Sequence, residues 1–177
     1  MSIYNIEESG FKTWMIANMK IWGFIPTVVI CYIAGMISLK FNPDAAAEFS
    51  AYGISIAIFS GLAFEAAQEI GKGTLVCYTL ILVSPLLLLL GEFDSIITLH
   101  SGMKTYLWIC IGISVFIGSI FGVYGFQNAD EMYSKLFVLN SSAKELFETD
   151  LSIGYMRFVE AYLYTFIGFA SFAPIFS

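Results

Sequence analysis

Residues 106–126, YLWICIGISVFIGSIFGVYGF, run 21 positions without a charge. Wound as a helix at 1.5 Å per residue, that run is about 31 Å long, which matches a bilayer hydrocarbon core of about 30 Å. The stretch 74–90, TLVCYTLILVSPLLLLL, is likewise uncharged, and residues 21–39 are uncharged between Lys20 and Lys40. Charged residues make up 12% of the 177 positions and hydrophobic ones 58%. A soluble domain carries about 25% charged residues, so this chain has too little polar surface to cover a globule in water. Lipid is the expected solvent. The fold class that follows is all-α, a polytopic integral membrane bundle of four transmembrane helices with a fifth near the C-terminus.

The expected spans are 21–39, 49–69, 74–90 and 106–126. In the second, the uncharged part ends at Phe64 after 16 residues. That is about 24 Å of helix and too short to cross, so the helix is extended through the good helix formers of EAAQE to Glu69. Gly71 and Gly73 then supply a stop, with Lys72 beside the negative end of the helix dipole. Residues 1–20 form an amphiphilic lead suited to the headgroup layer or to a first helical turn. NPDAAAE, 42–48, reads as a connection with Asn-Pro turn chemistry. The first hydrophobic run exceeds the 7–15 residues of a signal-peptide core, and a true span is expected there. Residues 127–154 are the one long polar stretch. Residues 155–177 are long enough to cross, although Arg157 and Glu160 crowd the entrance.

Positive charges set orientation. A cytoplasmic N-terminus places Lys12, Lys20, Lys72, Lys135, Lys144 and Arg157 inside and leaves only Lys40 and Lys104 outside. The 127–154 stretch is then cytoplasmic as well.

Within lipid, helices associate through close approach of small residues. Gly53, Ala57 and Gly61 recur every four residues in the second span, and Ser114, Gly118 and Gly122 do so in the fourth. Both rows are expected at helix interfaces, within one protomer or between copies of a homo-oligomer. Glu65 and Glu69 continue the first row. They are either a solvated helix end, with a Glu69–Lys72 contact at i, i+3, or carboxylates facing a neighbouring helix or cavity, where ion or partner contact is expected. Glu65, Glu69 and Lys72 are therefore the candidate site.

Catalysis finds no support in the motifs. His100 is the one histidine and lies in a loop; GKGT, 71–74, lacks the upstream glycine and strand of a phosphate-binding loop. The three cysteines, Cys31, Cys77 and Cys110, are too far apart for zinc or disulfide patterns and read as buried thiols. Neither a metal nor a cofactor is expected. With a net charge of −6 and scattered Lys and Arg, direct nucleic-acid binding is not expected either.

Two functions compete. In one, the chain is a non-catalytic membrane sensor or scaffold, which docks a cytoplasmic protein on KLFVL and KELFE of the 28-residue polar stretch. In the other, a small oligomeric cation channel or transporter subunit carries Glu65 and Glu69 as an acidic ring. The first span, MKIWGFIPTVVICYIAGMISLK, the small-residue rows and the docking stretch together resemble the KwaA family, the membrane components of bacterial Kiwa anti-phage systems. The resemblance implies a homo-oligomeric inner-membrane sensor of infection that positions a DNA-binding cytoplasmic partner. It assigns no individual residues.

Overall fold

In the computed structural model the structure describes residues 3–70, 73–90, 101–134 and 150–177. Lys72, His100, Lys135 and Lys144, half of the GKGT stretch and most of the docking stretch lie outside them.

Among the described residues every regular element is helical. The N-terminal lead is a helix of its own, α1 (Ile3–Ala17). It does not lie free, because Thr13, Ile16 and Ala17 are buried while Phe11 and Trp14 stay exposed. A kink at Asn18 leads to α2 (Met19–Trp22), and Gly23 leads on to α3 (Phe24–Ser38). Gly23 is required there: a Cβ would stand 2.5 Å from the Met19 carbonyl and 2.9 Å from the Tyr164 ring.

The expected connection 42–48 is instead the first turns of α4 (Pro43–Glu69). Asn42 is its N-cap, accepting from the Ala45 amide at 3.1 Å, and Pro43 occupies the first position, where a missing N–H costs nothing. Asn42→Ala is expected to lower stability by about 1 kcal/mol, measured by thermal unfolding in detergent micelles, and Asn42→Gly by much less. A Thr74 hydroxyl bond to the Ala67 carbonyl, 2.8 Å, ties the end of α4 to α5 (Thr74–Leu90). Then come α6 (Ser101–Gln127), α7 (Ala129–Ser134), α8 (Asp150–Ala170) and a 3-10 turn, Ala173–Phe176.

The expectation of four spans and a fifth is corrected. Among the described residues three helices are long and apolar enough to cross a membrane: Met19–Ser38, Pro43–Gln68 and Ser101–Gln127. Helix α5 falls short, since its 17 residues give about 25 Å of helix against a core of about 30 Å. Helix α8 has the length, 21 residues, but not the apolar character, because Arg157 and Glu160 interrupt it.

Burial separates α8 from the three candidate spans. In an 18-residue apolar window of each span only 28–33% of the residues are buried, so their outer faces meet the surrounding solvent, which their composition makes hydrocarbon. Helix α8 is buried along most of its length, antiparallel to α6, with α3, α4 and α5 closing around it. The central helix of this bundle thus carries two buried charges, Arg157 and Glu160. Two hydroxyls on the spans are satisfied within their own helix: Ser60 donates to the Ile56 carbonyl at 2.6 Å and Ser114 to that of Cys110 at 2.7 Å.

Both small-residue rows face inward. A Cβ on Gly53 would meet the Ser171 hydroxyl at 2.7 Å, Ala57 is fully buried, and Gly61 lies against the Lys20 carbonyl. On α6, Ser114 is fully buried, Gly118 abuts the Phe158 carbonyl at 3.0 Å, and Gly122 abuts Gly154 and Phe158. These rows let α8 approach α6 and let α3 approach α4. They are occupied within the protomer.

Candidate functional site

One end of the bundle collects Lys20 of α2, the last turns of α4, the first turns of α5 and the first half of α8. Lys20 has no residue exposure, although its position before the first span suggested a flanking surface charge. Its ammonium ion-pairs with Glu65 Oε2 at 3.0 Å and donates to Gln68 Oε1. Gln68 Nε2 donates to the Tyr78 hydroxyl at 2.9 Å, and that hydroxyl donates to Glu160 Oε1 at 2.7 Å. Glu160 Oε2 is 2.6 Å from Arg157 Nη1, which also donates to the Ile16 carbonyl at 3.0 Å. Six side chains from four helices therefore form one continuous chain, with two cations and two carboxylates in balance.

The local reasons are legible element by element. Glu65 and Gln68 stand three apart on α4 and so share a face. Arg157 and Glu160 have the same spacing on α8. Phe64, fully buried, roofs the cluster, with its ring centroid 5.0 Å from that of Tyr78 and 5.9 Å from that of Tyr164. Tyr164 in turn donates to the Lys20 carbonyl at 3.1 Å.

Burial sets the electrostatics. Arg157, Glu160 and Tyr78 are shielded from solvent almost completely, while the Glu65 side chain is 32% exposed. Charges held this deep are costly unless paired, and here each has an opposite neighbour within contact distance. Arg157 Nε and Nη2 have no hydrogen-bond partner. Tyr78→Phe would strip Gln68 of an acceptor and Glu160 of a donor at once. The expected cost is about 1–3 kcal/mol. Tyr155→Phe, which removes only an exposed contact with Thr79, should stay within about 0.5 kcal/mol in the same unfolding assay.

The candidate residues named from sequence separate here. Glu65 joins the chain through Lys20, 45 positions earlier. Glu69 ends α4, with its side chain outside the described residues, as is Lys72 altogether. Sequence reasoning overlooked Lys20, Tyr78, Arg157 and Glu160 as site residues. The signal for the last two was present, since an Arg and a Glu at i, i+3 share one face of a helix and can pair there. Cys31 and Cys110 are buried free thiols and Cys77 is half-buried. Among the described residues, no three His, Cys, Asp or Glu side chains gather as metal ligands would.

Fold and cluster together define an all-helical membrane protein organised around an internal ion-pair network. Comparison with protein-family models, with curated proteins and with solved structures returns no match.

Proposed function

We propose that this protein is a non-catalytic sensor or scaffold subunit of a bacterial inner membrane, homo-oligomeric, with its N-terminus in the cytoplasm and a cytoplasmic protein as its partner. The observation that carries this reading is the position of α8. It begins within the last residues of the long polar stretch and is tied through Arg157, Glu160 and Tyr78 to α1, α5 and α4. A partner pulling on residues 135–149 would act first on this helix, and a disturbance of the spans would reach the partner by the same route. The orientation draws support from charge. Lys12, stacked over the Tyr124 ring, belongs with Lys20 and Arg157 to one end of the bundle. Lys40 and Lys104 belong with the C-terminus, where Asn42 donates to the Ser177 hydroxyl, to the other. Anti-phage defence of the Kiwa type is the setting we propose.

Cross-linked membranes from cells carrying the tagged full chain, compared with a variant lacking residues 135–149, test the partner. A cytoplasmic protein should be recovered with the former and lost with the latter, both chains being present in the membrane in equal amount. Recovery of the same protein with both would overturn the docking role. Cells carrying the chain with its neighbouring genes should form fewer phage plaques, and unchanged plating would remove the defence setting alone.

Cation passage ranks second, favoured by the partial exposure of Glu65. Against it, the Lys20 ammonium 3.0 Å away cancels the charge that an acidic ring would need. Liposome flux that is absent, or unchanged by Glu65→Gln, eliminates this reading.

A further inference from the structure

Between α3 and α6 the bundle leaves an apolar groove of about 350 Å³, floored by α8. Ile16 and Trp22 stand at one end, Ile30 and Gly168 at the other, and Phe121 and Tyr164 line its length. Thr27 and Tyr164 turn their hydroxyls to backbone carbonyls, Thr27 to that of Gly23 at 3.2 Å and Tyr164 to that of Lys20 at 3.1 Å. Apart from Thr165, what remains is a mostly hydrocarbon surface. It lies between two of the three candidate spans and opens where their composition places lipid.

Its dimensions select the occupant. From Ala161 to Phe169 the floor spans nine residues of α8, about 12 Å from the first to the last at a rise of 1.5 Å. One leaflet's share of the hydrocarbon core is about 15 Å. Trp22, its indole donating to the Met15 carbonyl at 2.7 Å, marks the mouth at the level where indoles sit beneath the headgroups.

We propose that this groove binds one acyl chain of a bilayer phospholipid, entering from the leaflet on the Lys20 side. The chain lies along α8, and the headgroup stays at the level of Trp22 and the exposed Lys12. Because Tyr164 lines the groove and holds the Lys20 backbone, an occupied groove abuts the ion-pair network. The lipid site itself stands whether or not the protein is a sensor.

The test is native mass spectrometry of the full-length protein, delipidated in detergent and then incubated with palmitoyl-oleoyl phosphatidylcholine. The parent chain is expected to retain one phospholipid per protomer. Gly168→Leu, whose side chain grows toward Ile30 into the groove, should reduce retention at least tenfold. Gly112→Leu, at a site with no atom within 4 Å of the added Cβ, should retain lipid like the parent. Ile30→Trp fills the groove from the facing wall and carries the test if Gly168→Leu does not fold. Absence of retained lipid on the parent chain, equal retention by the filled variants, or a second copy of the chain in place of lipid would each overturn the proposal.

Discussion

Replacing Arg157 with methionine is expected to destabilise the protein by about 3–5 kcal/mol, the cost of leaving one member of a buried ion pair without its partner. Glu160 would keep the Tyr78 hydroxyl but lose the cation 2.6 Å away, in a place no bulk solvent reaches. The decisive comparison is with Arg157→Met combined with Glu160→Met. Removing both charges removes the desolvation cost along with the attraction, and buried pairs replaced in this way are often neutral or stabilised. Here recovery should be incomplete by about 1–3 kcal/mol, because Tyr78 loses its acceptor and the Ile16 carbonyl its donor. Unfolding by SDS titration in mixed micelles, followed by far-UV circular dichroism, measures all three proteins. A double variant no more stable than the single one would show that uncompensated charge is not the source of the loss.

Gly118→Leu is expected to be the most damaging single change on the α6–α8 interface. A Cβ at Gly118 would already sit 3.0 Å from the Phe158 carbonyl oxygen and 3.1–3.2 Å from its ring, and a leucine adds three carbons beyond it. A backbone oxygen cannot swing aside as a side-chain tip does, so the two helices must separate along their most extensive contact. Overpacking ordinarily costs about 1–3 kcal/mol, and a backbone clash of this kind belongs at or above the top of that range. Gly112→Leu, on the open face of the same helix, should fall within about 0.5 kcal/mol of the parent. Equal loss from both substitutions would mean that glycine at these positions serves helix flexibility and not the approach of α8.

The two substitutions act on features of unequal legibility. Gly118 belongs to a row visible in the sequence, because small residues four apart on an apolar helix announce a close contact whatever the partner is. The partner itself was not visible. Nothing local distinguishes α8 of the same protomer from a second copy of the chain. Arg157 and Glu160 were visible as charges at a helix entrance, yet their depth was not, because depth depends on what covers the helix. The two elements whose crossing was misjudged fail for opposite reasons. Helix α5 is apolar but short, and α8 is long but charged. Asn42–Pro43 was read as a turn although the same pair also starts a helix; a cap and a turn share their chemistry until the following residues commit.

From its sequence alone this protein is bound to helices and to hydrocarbon, since each uncharged run sets its own transfer free energy residue by residue and needs no distant partner to do so. Which helix becomes the centre, and that Lys20 meets Glu65 while Tyr78 meets Glu160, was decided only when the helices packed. Those pairings join residues 45 and 82 positions apart. They depend on which helix lies beside which, and the small-residue rows mark the contact face of a span without naming the neighbour that fills it.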